Sequence, residues 1–303
     1  MLPHFLVIGC RGQVGWELMR TLQPLGRVIG VDFPEVDLAR PESLRPCLDE
    51  VRPQAIVNAA AYTAVDRAES EPEAARRLNA LAPGFLAEEA RRRGAWLVHF
   101  STDYVFDGAA RRPYTEDVPP NPLSTYGRTK AEGDAAVQQV GGRHLIFRLC
   151  WVYGGRGQNF LRTMLRLATT RDELHVVNDQ HGCPTWSRLI AEATAQALAQ
   201  ALRAPEPDTL AGVYHLACDG VATWFEFARA IWESVPAEAR RAARVTPIAT
   251  ADYPTPARRP AWSVLDCGKL ERVFGLRLPH WRTALRLVLE TPVEGFETLA
   301  LKP

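Results

Sequence analysis

An α/β fold, with a doubly wound parallel sheet and a second, smaller mixed α/β lobe, is predicted by three features of this 303-residue chain. Short apolar runs alternate with longer helical patterns through roughly the first half of the sequence. No cysteine framework competes with a hydrophobic core. The length lies where one core stops growing and a second lobe forms.

Strands are expected at 5–8, 27–32, 55–58, 96–101 and 144–148, each a compact apolar run. Helices are expected at 13–22, 42–50, 73–93 and 124–140, where apolar residues recur at three- and four-residue spacing. Each strand-to-strand step is then a right-handed crossover. Beyond 148 the pattern loosens, with helices at 160–167 and 187–203, a strand-like run at 175–178 and a proline-rich connection at 204–208. The run 213–217 can supply one more strand to the first sheet. The remainder, including the proline-rich 249–260, reads as helices and extended loops. The expected division is therefore 1–150 plus about 186–218 as one domain, and about 151–185 plus 219–303 as the other.

Composition narrows the function classes. The chain carries 36 Lys+Arg against 35 Asp+Glu, 47% hydrophobic and 23% charged residues, the balance of a folded globular protein. A formal net charge of +1 gives no field to hold a polyanion, so nucleic acid is not an expected partner. The Arg91–Arg93 run reads as a solvated helix face. The six cysteines, Cys10, Cys47, Cys150, Cys183, Cys218 and Cys267, contain no C-x-x-C pair and are expected as reduced thiols. No apolar run has membrane-spanning length and no basic leader precedes the first strand, so no membrane is expected and the location reads as cytoplasmic.

The segment Gly9-Cys10-Arg11-Gly12-Gln13-Val14-Gly15 directly follows the first strand and opens the first helix. In that context the glycines permit a tight turn, an approach of backbone N–H groups to a pyrophosphate, and close helix-on-strand packing. Such a turn marks a Rossmann-type dinucleotide site. Asp32 ends the second strand, where a carboxylate accepts both hydrogens of an adenosine ribose diol and repels a 2′-phosphate. This favours NADH slightly over NADPH. Asp37 and Leu38 follow at a spacing that suits an adenine-side contact, with a capping role for Asp37 as the alternative.

Tyr126-Gly-Arg-Thr-Lys130 opens a helix after a proline-rich stretch, and positions four apart share one helical face. Only Lys130, Lys269 and Lys302 are lysines in a chain otherwise committed to arginine. A compact ammonium is kept where it must approach a phenol and a ribose. The phenol is expected to be lowered toward neutrality by that ammonium and an oxidised nicotinamide, as a proton donor for an alkoxide-like oxygen. Thr102, at the end of the fourth strand, can hydrogen-bond the same oxygen.

These motifs, with Ser101-Thr102-Asp103-Tyr104-Val105-Phe106, resemble the extended short-chain dehydrogenase/reductases that act on nucleotide sugars. Gly12-Gln13-Val14-Gly15-Trp16-Glu17-Leu18, the segment Val57-Asn58-Ala59-Ala60-Ala61-Tyr62-Thr63-Ala64-Val65-Asp66, and Tyr253-Pro254-Thr255-Pro256 sharpen the likeness. Together they are similar to the dTDP-4-dehydrorhamnose reductase family over almost the whole chain. The resemblance implies reduction of the 4-keto group of dTDP-4-dehydro-β-L-rhamnose by a nicotinamide cofactor. It implies that Gly12, Gln13 and Val14 meet the pyrophosphate, Asp32 the ribose, and Ala61, Tyr62 and Thr63 the stretch toward the nicotinamide, with Phe100 beside it. Thr102 and Asp103 then meet the sugar, Tyr126 is the acid, and Lys130 holds the nicotinamide ribose. Trp151 packs on the sugar ring or in the core. Arg259 sits in a proline-rich loop where its fork of donors can take the substrate diphosphate, with the neighbouring Arg258 or a plain solvated loop as the alternatives.

Three departures from the family pattern stand out. Leu149-Cys150 precedes Trp151 where a small polar residue is usual, and Trp186 follows Thr185, so the pocket wall is expected to be reshaped. Some members bind Mg²⁺ at a dimer interface through three glutamates. Glu17 and Glu290 occupy similar places here, but Arg188 takes the middle one. That argues against the metal and against that dimer, leaving a homodimer of another kind open. The rival readings are a nucleotide-sugar 4-epimerase or dehydratase with bound NAD, and a non-catalytic regulatory subunit resembling the β subunit of methionine adenosyltransferase.

Overall fold

The structure is a computed structural model that describes residues 2–302. Its main sheet has six parallel strands: His4–Ile8, Arg27–Val31, Ala55–Asn58, Trp96–Thr102, His144–Leu149 and Gly212–His215. Counting them in chain order, they lie side by side as sixth, fifth, fourth, third, first, second. All neighbours pair in parallel, as β-α-β crossovers require. The order reverses between the first and third strands, and such a reversal opens a crevice at the carboxyl edge.

Side chains alternate across the sheet and bury it on both faces. Phe5, Val7, Val57, Val98 and Phe147 join one core with Leu18 of the helix Gln13–Thr21 and Ile190 and Leu198 of the helix Ser187–Arg203. Leu6, Ile8, Ile56, Leu97 and Ile146 join the other with Leu48, Leu86 and Val137, from the helices Arg45–Val51, Ala82–Arg93 and Thr125–Val140. The doubly wound Rossmann-type prediction is therefore met. The last strand and the helix Ser187–Arg203 return to the sheet after an excursion into the second lobe.

One expected element differs in kind. The helix expected at 73–93 runs as Pro72–Arg76, a π-helical turn Arg77–Leu81, and Ala82–Arg93. The widened turn lies against Gly133, where an added β-carbon would stand 2.0 Å from the Asn79 carbonyl oxygen. It also aims Asn79 at the Tyr62 backbone, accepting from its N–H at 2.9 Å and donating to its carbonyl at 3.1 Å.

The second lobe holds the helix Phe160–Thr170, capped by Asn159, and a parallel pair, Leu174–Val177 with Val245–Ile248. The helix Trp224–Ser234 opens on a capping box between Thr223 and Glu226. Gly268–Phe274 and Trp281–Leu289 complete it. No helix among the described residues is long and apolar enough to cross a membrane.

Candidate active site

The carboxyl ends of the first, second, fourth and fifth strands converge on a cleft of about 920 Å³, walled on its far side by the second lobe. It is lined by Gly9, Gly12, Gln13, Val14, Asp32, Asp37, Leu38, Ala61 and Thr63 from the cofactor motifs. Phe100, Thr102, Asp103, Tyr126, Lys130 and Trp151 line the same cleft. Residues far apart in sequence are thus brought to one place.

At the glycine turn, Gly9 has φ +79°, and a β-carbon there would stand 2.7 Å from the Ala60 nitrogen. Gly15 lies outside the cleft lining and packs under the turn, where a β-carbon would meet the Gly9 carbonyl at 2.0 Å. Gly12 caps the helix Gln13–Thr21 without any side-chain acceptor for its first amides. An uncapped helix start facing a cleft suits a phosphate anion. Asp32 is pinned by two backbone donors, Phe33 N–H and Arg11 N–H, both at 2.9 Å. Its Arg11 neighbour extends outward to Glu35 at 2.5 Å. These residues fit a dinucleotide with its diphosphate on the helix start and its ribose at Asp32.

Asp37 both lines the cleft and caps its own loop, accepting from Ala39 N–H at 2.9 Å and Arg40 Nε at 3.1 Å. Tyr62 lies outside the cleft lining. Its hydroxyl donates to Glu71 at 2.6 Å, while Ala61 and Thr63 on either side face the cavity.

The Tyr126–Lys130 pair is set by local chemistry. Ser124 caps the helix Thr125–Val140, accepting from Gly127 N–H at 3.1 Å, so Tyr126 falls in its first turn and Lys130 one turn on. Gly127 is needed because a β-carbon there would stand 2.2 Å from the Tyr104 carbonyl. Lys130 is fully buried and donates to the Phe100 carbonyl at 2.6 Å. Burial lowers it to about 8, with Asp134 on the next turn opposing that shift. Tyr126 faces Thr102, and burial pushes its phenol up to about 12. Among the protein's own groups, the cost of removing a phenolate from water outweighs the Thr102 hydrogen bond, and the expected lowering calls also on an oxidised nicotinamide.

Thr102 donates to Asp103 Oδ1 at 3.1 Å, and the Cys150 thiol donates to Asp103 Oδ2 at 3.1 Å. Burial raises Asp103 to about 6 against these bonds. The unusual Cys150 is thus a carboxyl partner in the wall, and Leu149 beside it faces the cleft. Trp186 lies outside the lining.

Trp151 adopts φ +43°, rare for a side chain of its size, and its ring stacks on Trp224. Gly182 makes room, since a β-carbon there would stand 2.4 Å from that ring. Trp224, Phe160 and Gln158 line the cleft and were not singled out from sequence. Arg259 is not among the lining residues. It bonds Asp66 at 2.9 Å and Thr255 Oγ1 at 2.5 Å, a tie between the lobes. Arg188 pairs with Glu17 at 3.3 Å and Glu192 at 2.7 Å, and Glu290 pairs with Arg286, so Glu17 and Glu290 are each paired with an arginine.

A parallel sheet with a glycine turn at its reversal point, and a Tyr-x-x-x-Lys pair across the same cleft, define a short-chain dehydrogenase/reductase. A family model described as the RmlD substrate binding domain matches residues 3–293. A dTDP-4-dehydrorhamnose reductase of Burkholderia thailandensis is 50% identical over 93% of this chain and 96% of its own. One from Escherichia coli is 44% identical over 98% of this chain and its entire length. Among solved structures, the dTDP-4-dehydrorhamnose reductase of Bacillus anthracis, in complex with NADP, superposes with a TM-score of 0.87 at 32% identity. It covers 96% of this chain and 100% of that one. A Clostridium acetobutylicum counterpart gives the same TM-score at 35% identity over 95% and 98%. The chain belongs to the dTDP-4-dehydrorhamnose reductase family.

Proposed function

We propose that this protein reduces the 4-keto group of dTDP-4-dehydro-β-L-rhamnose to give dTDP-β-L-rhamnose, with NAD(P)H as the reductant. The observation that carries this reading is the convergence of Thr102, Tyr126 and Lys130 in the cleft that the glycine turn opens. When bound, the nicotinamide supplies a hydride for sugar C4.

The chain's own residues do the rest. Gly12, Gln13 and Val14 hold the diphosphate, and Asp32 the adenosine ribose. The Tyr126 phenol donates to the carbonyl oxygen, and the Thr102 hydroxyl turns its one proton from Asp103 to the same oxygen when the sugar binds, so the two polarise it. Tyr126 gives its proton to that oxygen as negative charge develops there. The Lys130 ammonium holds the nicotinamide ribose and favours the phenolate left behind. Asp103, freed of the Thr102 proton, meets the sugar.

Asp32 supports a slight preference for NADH, since its carboxylate faces the place a 2′-phosphate takes. The lobe division of 1–150 plus about 186–218, against 151–185 plus 219–303, is part of the proposal, with the sugar nucleotide between the two. All six cysteines are free, which suits the reducing cytoplasm.

The deciding experiment follows loss of nicotinamide absorbance on adding enzymatically generated dTDP-4-dehydro-L-rhamnose, with NADH and NADPH in parallel and an enzyme-free blank. Substrate-dependent oxidation yielding dTDP-L-rhamnose supports the reading. Bound cofactor without oxidation overturns it.

A further inference from the structure

Behind the catalytic lysine lies a buried polar chain that the reaction, as described, does not use. His99 is completely buried in the fourth strand, between Asn58 of the third strand and Lys130. Its Nε2 stands 3.3 Å from Lys130 Nζ, and its Nδ1 stands 3.2 Å from the Asn58 side-chain amide. A buried imidazole in a sheet core is costly unless both nitrogens are satisfied. Here both are, and one of the partners is the reacting lysine.

The proton count on that ring decides what it does. A neutral imidazole has one donor and one acceptor nitrogen. Burial, and then the Lys130 charge, hold His99 well below its usual range, so the ring is neutral. With the Asn58 Nδ2 turned to Nδ1, the ring proton sits on Nε2 and faces Lys130, an arrangement that suits only a neutral amine. With the Asn58 oxygen turned to Nδ1–H instead, Nε2 accepts from the ammonium. The two amide orientations are indistinguishable by shape, and each dictates a charge for Lys130. The second gives up only the 3.3 Å bond from Ala60 N–H to Asn58 Oδ1.

We propose that His99 is a positioning residue for Lys130: with its Nδ1–H donated to Asn58, its Nε2 accepts from the ammonium and keeps Lys130 charged and aimed into the cleft. The inference rests on the reading of Lys130 given above. Lys130 then has two fixed acceptors, His99 Nε2 and the Phe100 carbonyl, and a third N–H free for a ribose hydroxyl. Other groups facing this region are Asp134 and Tyr126 on its own helix and Arg148 of the fifth strand, which is paired with Asp134 at 3.1 Å. None of these replaces an acceptor on the His99 side.

The test is the pH profile of kcat for keto-sugar reduction. Reduction needs a charged Lys130, so activity falls as pH rises through its ionisation. Removing the acceptor with His99→Phe is expected to shift that alkaline limb downward by about one pH unit, the scale of one hydrogen bond to a charged group. His99→Gln, whose amide oxygen can accept, is expected to restore most of the position. Asn58→Leu, which leaves the ring but frees its tautomer, is expected to shift the limb the same way by less, and serves if the phenylalanine variant does not fold. Nitrogen NMR of the wild-type imidazole is expected to show the proton on Nδ1. An unmoved limb in a folded variant, or a proton on Nε2 at neutral pH, overturns the inference. Lys130→Met separates the two layers: full activity in that variant sinks the lysine's role itself, whereas a dead variant beside an unmoved limb sinks only the role of His99.

Discussion

The indole rings of Trp151 and Trp224 lie parallel, 7° apart, with their centroids separated by 3.5 Å. Trp151 follows the fifth strand, and Trp224 opens a helix of the second lobe, fixed there by the Thr223 capping box. Phe160 leans on Trp224, its ring tilted by 45° and its centroid 4.6 Å away. One face of Trp151 is therefore already covered, which on the proposed reading leaves its edge or opposite face for the sugar ring. Trp224→Ala is expected to raise KM for the sugar nucleotide roughly tenfold, the scale of one lost aromatic contact, while leaving the cofactor Kd unchanged. Parallel titrations of cofactor and substrate check this.

Tyr126→Phe keeps the ring and removes the proton. Its Thr102 partner then faces the carbonyl oxygen alone. The expected loss in kcat is on the order of 10² to 10⁴, the usual range for a general acid, with cofactor affinity retained. Single-turnover measurement with saturating NADH checks that the loss is in the chemical step.

Much of the sheet and the cofactor half of the cleft was legible from local pattern. The glycine turn, Asp32 and the Tyr126–Lys130 pair carry their meaning within one strand and one helix. Trp224 was not legible, because its place beside Trp151 depends on how the second lobe folds back over the first. His99 was hidden inside an apolar strand, where a lone histidine carries no pattern. Arg259 shows the converse limit. Its sequence signal was a fork of donors in a proline-rich loop, and the structure spends that fork on Asp66, Thr255 Oγ1 and the Ala257 carbonyl.

Asp103 gives a stability prediction with a definite sign. Burial raises its pKa in the fold from the usual aspartate value of 3.8 to about 6, despite bonds from Ser263, Cys150 and Thr102. Between those two values the folded state binds more protons than the unfolded one, so stability falls as pH rises through that window. The shift corresponds to a cost on the order of 3 kcal/mol at neutral pH. Asp103→Asn removes the titrating charge and is expected to flatten that dependence. Its stability relative to wild type should improve from pH 4 to pH 7. Urea unfolding at pH values across the window measures it, and a parallel slope in the two proteins would refute the assignment.

On the proposed reading, Arg11 weighs on the choice of cofactor as much as Asp32 does. The Arg11 guanidinium is largely exposed and is held to Glu35 at 2.5 Å and to the Phe33 carbonyl at 2.9 Å. Releasing it with Glu35→Gln supplies a free cation beside the ribose site, which suits a 2′-phosphate. That variant is expected to shift the NADPH to NADH ratio of kcat/KM upward by roughly three- to tenfold, the scale of one exposed charge contact. Asp32→Ser should move the ratio in the same direction by removing the opposing carboxylate. Paired kinetics with both cofactors check the order.

Arg259 and Asp66 form the last test, because the same arginine can serve the substrate or the fold. Asp66 lies in the short helix Val65–Ala68, and its carboxylate accepts both Arg259 Nη2 at 2.9 Å and Ala257 N–H at 3.2 Å. Those bonds hold Asp66 below its usual carboxylate range, against burial. If the pair is a tie between lobes, Asp66→Ala and Arg259→Ala weaken the same contact. Their effects on Tm and KM are then similar, and the double variant is little worse than either alone. If Arg259 instead turns to the substrate diphosphate, Arg259→Ala raises KM well beyond Asp66→Ala, and the single effects add. The bonding seen here predicts the first pattern, with strong non-additivity in the double-mutant cycle.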